Sequence, residues 1–237
     1  MKTDVYSAGI SGNASLDTWW QLQGEWVEAP NTRRGGASGV QRIHDQQGQL
    51  LYAKRQVGHL YRSLRHPFGR PTVLRERDAL LGARQAGVSV PQIVHCSAER
   101  GAQGWRGLLV TAALEGFQPI DEWYASGGRE RHGEELHRQL LQQVAVNLAR
   151  LHRARWQHGC LYAKHIFVRI TTAGETAHAE VALLDLEKCR RRLWCGQAAR
   201  HDMHQLKRHS SWCPSDWQQL LDAYQAAFGR AIQGLPG

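Results

Sequence analysis

Three charged residues interrupt segments with an apolar pattern. Lys54 interrupts "LLYAKRQ", Glu76 falls on the same helical stripe as Val73, Leu80 and Ala83 in "PTVLRERDALLGARQAGVSVP", and Asp185 ends the alternating run "EVALLDLEK". A carboxylate on a buried helix face needs a partner, and a strand lysine can supply one. Upstream, "RRGGASG" places Gly35, Gly36 and Gly39 where a backbone can approach an anion closely. A glycine-rich segment, a lysine oriented by an ion pair and a carboxylate able to hold magnesium are parts that phosphoryl transfer requires, because that reaction depends on positioning phosphates and offsetting their charge. Each also has an ordinary reading: a turn for the glycines, a solvated edge for the lysine and an off-pattern charge for the glutamate.

The elements that must hold these residues can be read from periodicity. Residues 19 to 55 have the grammar of strands and turns, with short apolar segments broken by "GGASG" and "HDQQGQ". A helix is predicted over about 71 to 86, closed by Gly87 with Pro91 beyond. The strand "GLLVTAAL" then leads into a linker around "EGFQPIDEW". Past Gly133, Leu136, Leu140, Val144, Leu148 and Leu151 recur at helical spacing, which predicts a long amphipathic helix. It runs into "QHGCLYAKHIFVR", residues 157 to 169, with His158 and His165 seven positions apart and Cys160 between them. "HIFVRI" and "EVALLDLEK" alternate around a glycine-containing turn and read as a hairpin. Two helices complete the chain, the last capped by Ser215 and burying Trp217, Leu221, Tyr224 and Phe228.

This order of elements is protein-kinase-like. With "LLYAKRQ", "HPFGRPTVLRERDALL", "GVSVP" and "LLDLEKCR", the loop "QHGCLYAKHIFVR" resembles the bacterial lipopolysaccharide kinase family of WaaP and InaA type, most closely its InaA-like members, from about Trp19 to the last helix. The resemblance implies an α+β, two-lobed fold: a small antiparallel β-rich lobe over 1–112 and a mainly helical lobe over 113–237. It also implies an ATP- and magnesium-dependent kinase of lipopolysaccharide core heptose. By resemblance, His158 and Cys160 take the places of the histidine and aspartate of the kinase catalytic loop, and His165 that of the metal-binding asparagine. Lys54 contacts the nucleotide phosphates, oriented by Glu76 beneath Gly35, Gly36 and Gly39; Asp185 and His165 hold the metal; Asp202 braces the loop. Cys160 is the departure. A thiol is a poor general base near neutral pH, so the substitute base is Glu187, two residues beyond Asp185, or a carboxylate elsewhere in the chain, and a nucleotide-responsive pseudokinase is the alternative function.

Composition narrows the partners. Lys and Arg outnumber Asp and Glu by 30 to 21, a formal charge of +9, which favours an anionic partner. Within that class a glycolipid or acidic membrane surface fits the resemblance, and nucleic acid does not. Lys188, Arg190, Arg191 and Arg192 form a run that is either a solvated face or a patch for a phosphorylated glycolipid. The five cysteines form no CxxC pair, arguing against a disulfide framework or zinc knuckle and for a reducing cytoplasm. No apolar run reaches the roughly 20 residues of a membrane span, and "MKTDVYSAGI" lacks the apolar core of a signal peptide. The expected location is therefore cytoplasmic or peripheral on the inner membrane. His201, His204 and His209 share a helix side but lack a completed ligand spacing, and the nine tryptophans are expected in packing.

Overall fold

The computed structural model describes residues 15–33, 35–45, 47–102, 104–174 and 176–237, without the side chains of Arg33 and Ala173. The N-terminal segment read for targeting, and Arg34 of the glycine-rich segment, lie outside the described residues. The chain forms two compact units, one of residues Met1–Leu80 with Pro91–Leu114 and the other of Leu81–Val90 with Glu115–Gly237.

The first unit opens with helix α1 (Leu16–Gln21), followed by strands β1 (Glu25–Arg33), β2 (Gly36–His44), β3 (Leu50–Val57), β4 (Leu60–Ser63) and β5 (His66–Pro71), helix α2 (Thr72–Gln85), and strands β6 (Ile93–Gly101) and β7 (Gly104–Ala112). Five strands pair antiparallel in the order β1-β2-β3-β7-β6. Their inward residues Ile43, Leu51, Ala53, Val94, Leu108 and Val110 close over Leu16 and Trp19 of α1. The expected strand at Trp19 is thus a helix. Ser15 accepts the Thr18 N–H as its N-cap, Asp17 occupies the first turn, and the buried Trp19 ring anchors the segment to the sheet. Strand β6 and the hairpin β4–β5 were not visible in the sequence pattern, because "IVHCSAERG" and "LYRS" alternate too weakly to mark a face.

The second unit contains β8 (Gln118–Pro119), α3 (Ile120–Ala125), α4 (Gly128–Arg153), β9 (Trp156–Gln157), β10 (Ile166–Ala173), β11 (Thr176–Leu183), β12 (Arg190–Arg191), α5 (Cys195–Arg208) and α6 (Pro214–Phe228). The linker around "EGFQPIDEW" is structured: Gln118 and Pro119 pair with β10, and Ile120 and Trp123 are buried. The long helix begins upstream of the expected start, with a break at Gly133 (φ 78°). Its apolar stripe, Leu136 to Leu151, is buried as its spacing requires. β10 and β11 form the expected hairpin from Ile166↔Leu183 to Ala173↔Thr176. Ser215 is not the cap of α6: the helix starts at Pro214 with Cys213 as N-cap residue, since a proline's fixed φ and missing N–H suit the first helical position. Gly229 ends it in the left-handed conformation (φ 83°).

Candidate active site

In the first unit Lys54 sits on β3, between Val40 of β2 and Leu109 of β7. It is therefore on an interior strand and not on a solvated edge. Its Nζ lies 2.7 Å from Glu76 Oε2, with both side chains largely buried. Glu76 reaches it because α2 is pinned to the same strand. Gln56, two residues on and so on the same face as Lys54, accepts the Val73 N–H at 3.1 Å and the Thr72 hydroxyl at 2.6 Å. That amide caps the start of α2 and sets the height of Glu76 one turn later. Sequence reading overlooked Gln56, although its polarity on an apolar strand was a signal.

The three candidate phosphate-loop glycines differ. Gly35 occupies the turn between β1 and β2 with φ 76°, and a side chain there would meet open space. Gly36 and Gly39 have packing reasons for being glycine. A Cβ at Gly36 would lie 2.5 Å from the Gly58 backbone, and one at Gly39 would lie 2.8 Å from the Trp26 ring and 2.9 Å from the Glu28 carbonyl.

In the second unit the loop after β9 is organised by Asp202 of α5. Its carboxylate is wholly buried and accepts the backbone N–H groups of His158 (2.5 Å) and Gly159 (3.0 Å), together with ring N–H groups of His152 (3.2 Å) and His201 (3.0 Å). Burial alone pushes a carboxyl's pKa up, but here the bonds from His152 and His201 and the nearby imidazoles outweigh it and hold Asp202 well below the usual carboxylate range. One turn along, Gln205 accepts the Leu161 N–H at 2.9 Å. Two residues of α5 at i and i+3, which share a helix face, thus fix three loop amides. His152 of α4 is held from its other side by the Tyr224 hydroxyl at 2.8 Å.

His158 is buried, and its Nε2 donates to the Leu184 carbonyl at 2.9 Å. Burial lowers its pKa, which favours the neutral ring; Nδ1 has no hydrogen-bond partner among the described residues. The Leu184 N–H in turn donates to the His165 carbonyl at 2.9 Å. Leu184, the residue before Asp185, is thereby held through both its carbonyl and its N–H. Asp185 itself adopts φ 61°, ψ 60°. Arg155 is the other non-glycine residue with positive φ among the described residues. Such a conformation at a residue other than glycine costs about 1–2 kcal/mol, and surrounding bonds must hold it in place.

The geometry brings His158, Cys160, His165 and Asp185 together. The His158 and His165 rings stack with centroids 6.0 Å apart. His165 Nδ1 donates to the Cys160 carbonyl at 2.6 Å, which turns Nε2 the other way. Nε2 lies 3.6 Å from Asp185 Oδ2. The Cys160 sulfur, the His165 nitrogen and an Asp185 oxygen all lie within 4.8 Å of one another. The half-exposed Asp185 carboxylate suits magnesium, which prefers oxygen ligands, with His165 beside it as a weaker donor. Lys188 Nζ is 3.8 Å from the Cys160 sulfur, a contact nothing in the sequence signalled. Glu187 lies half-buried in the short 3-10 turn Leu186–Lys188.

The basic run divides. Arg192 Nε donates to the Gln157 side chain, and the Arg191 guanidinium lies over the Trp156 ring at 5.8 Å. Arg190 and Arg191 are exposed, as are Leu193 and Trp194 beside them. His201 and His204 are engaged elsewhere, His201 by Asp202 and His204 by the Gly234 carbonyl. His209 packs on Tyr162.

The lipopolysaccharide kinase (Kdo/WaaP) family model matches residues 17–224. Protein InaA of Escherichia coli (strain K12) is 43% identical over 209 residues, covering 88% of this chain and 94% of that protein. The solved structure of WaaP in complex with acyl carrier protein superposes with a TM-score of 0.67 at 19% identity, over 92% of this chain and 83% of that one. This likeness extends the kinase-like fold to the chain. On the span of the family match and the identity to InaA, the chain belongs to the lipopolysaccharide kinase (Kdo/WaaP) family, a family of phosphotransferases.

Proposed function

We propose that this kinase transfers the γ-phosphoryl group of ATP to a heptose hydroxyl of the lipopolysaccharide core, working as a peripheral protein at the cytoplasmic face of the inner membrane. In this reading Lys54, oriented by Glu76, meets the nucleotide phosphates below the Gly35 turn, with Gly36 and Gly39 keeping the backbone thin. Asp185 and His165 would hold magnesium, which supplies charge neutralisation between the phosphates when bound. His158 and Asp202 keep the loop in register, and Glu187 is the general base in place of the residue missing at Cys160. Lys188, Arg190, Arg191 and Arg192 meet the acidic glycolipid or membrane surface. The observation that carries the reading is the Lys54 to Glu76 pair at 2.7 Å on an interior strand, in a chain matched over 17–224 to lipopolysaccharide kinases. Among the described residues no helix is long and apolar enough to cross a membrane, so the acceptor would be met from the surface.

The test is phosphate transfer by the purified chain with ATP and magnesium to intact and delipidated core glycolipids. Turnover confined to heptose-containing acceptors is the expected result. Nucleotide binding without transfer to any acceptor would favour the pseudokinase alternative, for which Cys160 in the place of a carboxylate is the specific observation.

A further inference from the structure

Magnesium accounts for Asp185 and tolerates His165, yet it gives no role to the third group that faces them. Cys160 is 6% exposed, and its sulfur shares with His165 Nε2 and an Asp185 oxygen a space in which no two ligand atoms are more than 4.8 Å apart. We infer that Cys160, His165 and Asp185 form a binding site for a thiophilic divalent cation of the zinc class, in competition with magnesium for the same two residues.

Three features support the inference. First, one sulfur, one imidazole nitrogen and one carboxylate oxygen make a donor set that zinc accepts and magnesium does not prefer. Zinc bonds of about 2.0–2.3 Å in tetrahedral geometry separate ligand atoms by roughly 3.3–3.7 Å, so the three side chains need only small rotations to close. Second, the imidazole is pre-oriented. The Nδ1 donor bond to the Cys160 carbonyl fixes the tautomer and leaves Nε2 to a metal, the outer bond that metal-ligating histidines commonly make. Nε2 lies 3.6 Å from Asp185 Oδ2, close enough for one cation to meet both atoms. Third, Lys188 Nζ lies 3.8 Å from the sulfur, so a cationic group already stands beside the donor atom. On binding, the thiol proton passes to solvent as the sulfur to metal bond forms, and the exposed Lys188 chain is free to swing aside. Three protein ligands leave the fourth position open to water or a phosphate oxygen.

The geometry holds whether or not the chain transfers phosphate to heptose, so the two can be tested apart. The experiment uses the full chain carrying Cys195→Ser and Cys213→Ser, which removes the two thiols that are not buried, stripped of metal and titrated with cobalt(II) as the spectroscopic probe and zinc as its competitor. A thiolate-to-cobalt charge-transfer band in the near ultraviolet is expected, abolished by Cys160→Ser and bleached by equimolar zinc. His165→Gln and Asp185→Asn should each weaken zinc binding by about 10- to 100-fold or more. Having three independent ligand variants, with circular dichroism as the folding control, guards against one of them failing to fold. Magnesium and ATP together should raise the apparent dissociation constant for zinc. Cobalt binding with no thiolate band, or zinc affinity unchanged by Cys160→Ser, overturns the proposal. If those results accompany normal magnesium-ATP binding, the phosphotransferase reading survives alone. A thiolate band in a chain that binds no nucleotide supports the metal site and removes that reading.

Discussion

At the residue scale, the proposed function gives Lys54 the nucleotide phosphates and Asp185 the metal. If so, Lys54→Ala and Asp185→Ala should each weaken magnesium-ATP binding at least about tenfold in calorimetry, with the fold retained. Glu76→Gln should act more mildly, because it loosens the 2.7 Å pair but leaves the charge of Lys54 in place. Cys160 sets up a sharper comparison. If the base is relocated, Cys160→Asp adds a negative charge near the phosphates and turnover should fall. A rise of about 10²-fold or more, the size of a restored general base, would show instead that the base is simply missing. Neither the 3.8 Å contact of Lys188 with the sulfur nor the His165 tautomer could be read from the chain, since each depends on residues brought together across five to 28 positions.

At the scale of elements, the C-terminal end of α4 is a test of backbone strain. Arg155 follows the C-cap Ala154 with φ 65°, the position and conformation in which helices usually place glycine. Arg155→Gly should therefore stabilise the chain by about 0.5–1 kcal/mol, visible as a higher urea midpoint at unchanged slope. Gly159 shows the converse. It has φ 80°, and a Cβ would lie 2.8 Å from the Lys188 carbonyl, so Gly159→Ala should destabilise the loop while leaving α4 and α5 intact. The segment around β12 has its own test. Replacing Arg190, Arg191 and Arg192 with Ser should reduce binding to vesicles containing acidic lipid, most strongly at low salt where screening is weakest. Equal binding at low salt would return the run to a solvated face.

At the scale of the whole molecule, buried histidines make stability depend on pH. His95 is fully buried, stacked on Trp19 and bonded to Ser97, and burial pushes its pKa down to about 4. Below the unfolded value of about 6.5 the unfolded chain takes up a proton that the folded one refuses until about pH 4, so stability is full above pH 6.5 and falls through that window. Urea unfolding should show a loss of about 1–3 kcal/mol between pH 7 and 4.5, with His158 acting in the same direction. His95→Gln should flatten the profile. The buried face of α2 with Glu76 on it, the long stripe of α4 and the β10–β11 hairpin were legible in the chain, because helix and strand periodicities are local and a buried charge breaks them visibly. The weakly alternating strands, the helix at Trp19, the partners of Gln56 and the four donors converging on Asp202 were not. Each of these depends on partners far away in sequence: the Asp202 carboxylate gathers N–H groups from residues up to 50 positions distant, and no spacing rule encodes a contact that exists only once the sheet and helices have packed.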